Sequence, residues 1–129
     1  MIPASPWFNE GYAEYFEKGP DGPDFVDPTD LVMCAEQLPA LMAMDHGEFY
    51  AGTDQERHLK YRLALAIVFF LEKGAPEVRF QPFKNLKADY VKALLKTHDM
   101  RQATIAALLG DEDKTKLFVR EWVKFWLGR

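Results

Sequence analysis

The middle of the sequence contains a segment that is typical of one long, buried helix. Glu56 follows Thr53 at the spacing of a capping box, which marks a helix start. An unbroken run of nine apolar residues from Leu63 to Leu71 comes next, and Gly74 supplies a C-terminal stop. Because nine apolar residues cannot span a bilayer, the segment predicts the central helix of a globular core.

Helical patterns on both sides of this segment predict an all-α fold. They cover 7–18, 28–37, 39–44, 86–97, 100–109 and 112–127. In the last of them Phe118, Trp122 and Trp126 recur every four residues, which places them on one apolar face. We therefore expect a single domain over 1–129, a compact bundle of about six helices.

Proline and glycine predict the interruptions between the helices. The cluster Gly-Pro-Asp-Gly-Pro at 19–23 predicts a loop. Asp27, which precedes a proline, predicts the N-cap of the next helix, and His46, which precedes a glycine, predicts a turn. Only 78–83 alternates with the period of a strand, and its proline limits it to an edge strand.

Charge and composition exclude several classes of function. Sixteen basic and twenty acidic residues give a net charge of −4, which disfavours binding nucleic acid through a broad basic face. The sequence 1–129 shows no secretory signal and no transmembrane segment, so we expect no membrane partner. It does not indicate where in the cell the protein is located. Cys34 is the only cysteine, which excludes an internal disulfide and predicts a small buried thiol.

Histidine and serine provide no catalytic pattern. No two of His46, His58 and His98 stand four residues apart, so no single helix presents two imidazoles to a metal. We expect His98 on the surface near a helix end. Ser5 is the only serine, and its place in a predicted loop argues against a catalytic triad.

Carboxylates are the remaining candidates. Glu10 and Glu14 lie one helical turn apart, and Glu17 follows three residues later. Alone, such a row predicts a solvent-exposed acidic face near a helix N-terminus. Two glutamates on one turn do not flank a substrate from two sides, which disfavours a carboxylate-pair hydrolase.

The residues around this row form a more specific pattern. From position 6 the chain reads Pro-Trp-Phe-Asn-Glu-Gly-Tyr-Ala-Glu-Tyr-Phe-Glu. This resembles the second metal-binding helix of the gluzincin zinc metallopeptidases, which include the peptidase-MA-like and aminopeptidase-N-like groups. The resemblance implies that Glu10 is the third zinc ligand. The residues that support the motif are Trp7, Asn9, Gly11 and Glu14.

The resemblance continues through 38–41, 49–50 and 61–71, and covers a little over half of the chain. It implies that Tyr61 is a remote candidate for a polar contact with substrate. A tyrosine at the edge of the core, with its hydroxyl reaching water, explains the same residue more simply.

One essential part of the family pattern is missing. Gluzincins need His-Glu-x-x-His, which supplies two zinc ligands and the general base, and this sequence contains no such motif. One carboxylate cannot hold catalytic zinc, so we expect no cofactor in this chain and no catalysis by the chain in isolation. The sequence fits equally a piece of a longer enzyme and a natural remnant that kept the fold.

The alternative is a helical interaction module that uses its aromatic faces. Trp7 and Phe8 would then lie beside a missing N-terminal lobe, while Trp122 and Trp126 belong to the last helix. A domain separated from such a lobe exposes apolar surface, which favours self-association or a partner. We therefore predict a homodimer at micromolar concentration.

Overall fold

A computed structural model describes residues 3–18 and 28–128, and every regular element within them is helical. The α-helices are α1 (Pro6–Lys18), α2 (Thr29–Val32), α3 (Leu38–Ala43), α4 (His46–Tyr50), α5 (Asp54–Phe69), α6 (Leu86–Thr97), α7 (Met100–Thr104) and α8 (Glu112–Leu127). The predicted all-α bundle is confirmed. The predicted loop at 19–23 and the predicted N-cap Asp27 lie outside the described residues.

The central helix forms as predicted. The Thr53 hydroxyl accepts a hydrogen bond from the Glu56 backbone N–H, and a Glu56 carboxylate oxygen accepts one from the Thr53 N–H. The apolar run that follows is buried throughout, and α5 continues as a π-helical turn, Phe70–Gly74. In the described part of the chain, no helix combines the length and the apolar character that crossing a membrane requires.

The aromatic face of α8 closes the core over α5. Phe118, Trp122 and Trp126 are all buried, as their spacing predicts, and Phe125 is buried beside them. The Trp126 indole N–H donates to the Ala66 carbonyl oxygen at 3.2 Å, which joins the two longest helices by a buried hydrogen bond. The basic side chains of α8 at 116, 120 and 124 are exposed.

A buried polar network fixes the start of α1. The Tyr90 hydroxyl on α6 accepts from the Ser5 backbone N–H at 2.7 Å and donates to the Ser5 Oγ at 2.8 Å. Ser5 Oγ also lies 3.1 Å from Thr104 Oγ1 on α7. Because each buried hydroxyl has a partner, the network carries little desolvation penalty and holds the chain before α1 against α6 and α7.

Three local predictions are wrong. The segment Val78–Phe83 is a 3₁₀ turn and not an edge strand, since the described chain offers no second strand to pair with. The predicted helix 28–37 divides into α2 and a 3₁₀ turn, Ala35–Gln37, because the Cys34 and Gln37 N–H groups donate to carbonyl oxygens three residues back, those of Leu31 and Cys34. His46 begins α4 and is not a turn residue, because the Asp45 side chain caps that helix.

The structure shows where Cys34 and His98 lie. The sequence predicts a small buried thiol at Cys34, and the structure shows a free cysteine that is only partly buried against the core. It lies between α2 and the 3₁₀ turn Ala35–Gln37. His98 is exposed at the C-terminal end of α6, as expected, and adopts a left-handed conformation with φ of 56°.

Candidate functional site

Helix α1 presents Glu10 at the edge of the core because the adjoining face of the helix is packed. Trp7, Gly11 and Tyr12 on that face are buried. Gly11 allows α1 to approach α5 so closely that a Cβ atom built there would lie 2.6 Å from the Ala64 carbonyl oxygen. Glu10 lies beside this packed face and is half-buried. The glycine of the Asn-Glu-Gly pattern therefore has a packing role, whereas the glutamate does not.

The Glu10 carboxylate is held by a tyrosine from a different helix. The Tyr50 hydroxyl on α4 donates a hydrogen bond of 2.5 Å to Glu10 Oε1. The Tyr50 ring lies 6.3 Å from the ring of Tyr61 on α5 and stacks on His46 at 6.1 Å. Phe49 packs edge-on against Tyr61 at 5.4 Å. The site is thus a single carboxylate beside a cluster of aromatic rings.

Sequence reasoning missed α4, the helix that brings Tyr50 to the site. Asp45 and Glu48 form a complete capping box, with the Asp45 carboxylate accepting from the Glu48 N–H at 2.8 Å. The Lys60 ammonium on α5 donates to the carbonyl oxygens of Glu48 and Ala51. Arg101 on α7 forms an ion pair with Glu48. The Asp-x-x-Glu spacing was a usable signal, but the adjacent glycine suggested a break.

The electrostatics of the cluster keep both tyrosines protonated. Burial raises the pKa of Tyr50 above its ordinary value, and the hydrogen bond to Glu10 raises it further. Burial, followed by the nearby negative charge of Glu10, also raises the pKa of Tyr61. Within residues 3–18 and 28–128, no lysine or arginine forms an ion pair with Glu10. Glu10 is therefore a half-buried carboxylate held by a neutral donor.

We expect the Glu10→Gln variant to lower the pKa of Tyr50 toward the ordinary tyrosine value of about 10, because the acceptor loses its charge. The folded-state pKa of Tyr50 lies above its unfolded value. The hydrogen bond therefore stabilises the fold below about pH 10, and this stabilisation disappears as the pH rises through the folded pKa. Tyrosine ¹³Cζ NMR shifts measured against pH report the change. Glu14→Gln is the control, and an unchanged Tyr50 titration in Glu10→Gln would contradict the contact.

The remaining residues of the resemblance occupy different environments. Trp7 is buried in the core of this chain, while Phe8 is only partly buried. The centre of the Trp7 indole ring lies 5.2 Å from the centre of the Tyr90 ring. Asn9 is exposed, and its amide donates to the Ala4 carbonyl oxygen at 3.4 Å. Glu14 is half-buried and close enough to Tyr61 to influence its pKa.

The described residues do not by themselves fit a catalytic zinc ion. Such an ion takes three protein ligands, usually with imidazole among them. No group of three His, Cys, Asp or Glu side chains suited to a metal occurs in the described ranges. Glu10 supplies one carboxylate. The nearby imidazole of His46 stacks on the ring of Tyr50, which donates the hydrogen bond to Glu10. Any zinc at Glu10 needs ligands from elsewhere.

Comparisons with protein families, with curated proteins and with solved structures find no match to this chain.

Proposed function

We propose that this chain is the helical part of a gluzincin-like metallopeptidase and is catalytically inactive alone. Glu10 would be one carboxylate ligand to a zinc ion, and the imidazole ligands would come from a segment of the same protein that lies outside the described residues. Tyr61, whose ring lies beside that of Tyr50, is the candidate for a polar contact with substrate.

The state of the Glu10 side chain supports this proposal most directly. A half-buried carboxylate usually has a cationic partner, since burying a charge without compensation is costly. Among residues 3–18 and 28–128, the only hydrogen-bond partner of the Glu10 carboxylate is the neutral Tyr50 hydroxyl, which occupies one of its two oxygens. Carboxylates that bind metals are typically oriented by such a hydrogen bond from a second residue. The arrangement suits a carboxylate that receives a cation on its free oxygen.

The Asn-Glu-Gly pattern is also consistent with the packing. Gly11 permits the close approach of α1 to α5, and Trp7 anchors the helix start in the core. These contacts fix the rotation of α1 about its axis, so that Glu10 faces Tyr50. A ligand on a rigid helix can complete a site whose other ligands lie on a separate helix.

The first test is the zinc content of the chain purified without chelator, by elemental analysis beside Glu10→Ala. We expect far less than one zinc per chain in both proteins, because one carboxylate is too weak a site. Zinc near one per chain that is lost in Glu10→Ala would overturn the proposed inactivity and require ligands from a second chain.

The second test concerns the missing imidazoles. We expect the reading frame upstream of the Met1 codon to encode His-Glu-x-x-His, and the longer protein to bind zinc near one per chain. In that protein Glu10→Gln should lose the zinc, while Glu17→Gln, an exposed carboxylate on the same helix, should keep it. Absence of the motif, or full zinc in Glu10→Gln, would refute the proposal.

A further inference from the structure

Helix α4 carries Tyr50 at its C-terminal end, where a helix cannot satisfy its own backbone. The last carbonyl oxygens of any helix have no intrahelical partners, and α4 has only five residues. After Tyr50 the chain leaves the helix, since Ala51 has an extended backbone with φ of −75° and ψ of 161°. The position of the Tyr50 side chain therefore depends on contacts from outside α4.

The Lys60 ammonium on α5 supplies such contacts. It donates to the Glu48 carbonyl oxygen at 2.8 Å and to the Ala51 carbonyl oxygen at 3.0 Å. These two acceptors lie on either side of Tyr50 in the chain, so one ammonium group bridges the backbone around it. A positive charge at a helix C-terminus also interacts favourably with the helix dipole.

Lys60 is committed to these carbonyl oxygens. Its side chain is half-buried, and within residues 3–18 and 28–128 it forms no ion pair. The carboxylate one helical turn earlier on α5, Glu56, accepts a hydrogen bond from the Thr53 N–H. The hydrogen bonds of the Lys60 ammonium therefore go to the backbone that carries Tyr50.

The next residue of α5 holds the ring of Tyr50. The centre of the Tyr61 ring lies 6.3 Å from that of Tyr50, and Tyr61 also packs edge-on against Phe49, which is fully buried. Consecutive residues of α5 thus fix the backbone of Tyr50 through Lys60 and its ring through Tyr61. With both fixed, the Tyr50 hydroxyl lies 2.5 Å from Glu10 Oε1.

We propose that Lys60 is a positioning residue for the Glu10 carboxylate. It acts through α4, by holding Tyr50 so that its hydroxyl stays on Glu10 and fixes the direction of that carboxylate. The consequence for a metal at Glu10 rests on the proposed function, but the positioning itself needs no metal. Arg101 pairs with Glu48 at the other end of α4, and such an exposed ion pair contributes little.

The exchange rate of the Tyr50 hydroxyl proton tests the proposal in this chain without metal. NMR of protein labelled with ¹³Cζ-tyrosine measures that rate in mixed H₂O and D₂O. Lys60→Met keeps the aliphatic stem and removes the ammonium. We expect exchange on the order of tenfold faster in this variant, the loss expected for a charge-assisted hydrogen bond. Lys60→Arg keeps a positively charged donor and should restore slow exchange.

Two controls separate positioning from a general loosening of the fold. The Tyr90 hydroxyl lies in the buried network with Ser5, and its exchange rate should not change in Lys60→Met. Arg101→Gln removes the ion pair at the other end of α4 and should accelerate Tyr50 exchange far less than Lys60→Met does.

Several outcomes would overturn the role of Lys60. They are unchanged Tyr50 exchange in Lys60→Met, equal acceleration in Arg101→Gln, and equal acceleration of Tyr90 exchange. If Lys60→Met does not fold by circular dichroism, Lys60→Gln replaces it. Failure of both to fold would also overturn the proposal, because Lys60 would then hold the whole fold. A longer protein without zinc would refute the proposed function and leave the result on Lys60 standing.

Discussion

Replacing Trp7 with alanine is expected to lower the free energy of unfolding by about 3–5 kcal/mol, the usual cost of truncating a buried tryptophan. Trp7 is 1% exposed and packs against Phe8 and Tyr90. Its indole N–H also donates to Thr104 Oγ1 at 3.4 Å. The substitution leaves a cavity at the junction of α1, α6 and α7. Urea denaturation followed by circular dichroism measures the loss.

The expected loss is large compared with the total stability of about 5–15 kcal/mol that is typical of a natural domain. Leu127→Ala is the control, because this side chain is 60% exposed and its removal should change stability by less than about 0.5 kcal/mol. A Trp7→Ala protein as stable as the control would mean that Trp7 faces a surface, as the interaction-module hypothesis predicted.

Gly11→Val is expected to lower the free energy of unfolding by about 3 kcal/mol, at the upper end of the range for overpacking a core. Even a single Cβ at this position would lie 2.5 Å from Val68 Cγ2 and 2.6 Å from the Ala64 carbonyl oxygen. The Val68 methyl can rotate away, but the Ala64 oxygen belongs to the α5 backbone. The two helices must therefore separate.

The matched control for this variant is Ala13→Val, which introduces the same side chain two residues later on the exposed side of α1. Its cost should be limited to helix propensity, about 0.5 kcal/mol. Thermal or urea unfolding of both variants measures the difference. Equal stability of the two would show that α1 does not approach α5 closely at Gly11. In Gly11→Val the separation of the helices should also disturb the hydrogen bond between Glu10 and Tyr50.

These two variants also clarify the family resemblance. Trp7 and Gly11 have sufficient packing reasons in this fold, so their presence alone is not a sign of metal chemistry. Glu10 has no such reason, because its carboxylate contributes nothing to the apolar core and lacks an ion pair in the described part of the chain. The proposal of a metallopeptidase-like part therefore depends on Glu10 and its tyrosine partner more than on the remainder of the motif.

The sequence predicted the long elements well because their signals are local. The capping box at Thr53, the apolar run of α5 and the four-residue aromatic spacing of α8 all act within one or two helical turns. It failed at short elements, such as α4 and the turn Val78–Phe83, where few residues carry the pattern. A short helix has little propensity of its own, and its packing decides whether it forms.

In the candidate site too, the sequence predicted the local part and the tertiary structure added the contacts between distant segments. The sequence alone predicted Glu10 as the candidate ligand, because the pattern around it lies within one continuous stretch. Only the tertiary structure brought Tyr50 to its carboxylate across forty residues of chain. Likewise, it buried Trp7 and placed α6 beside α1. Periodicity states which side of a helix is apolar, but not which helix packs there, since that choice depends on side chains far apart in the sequence.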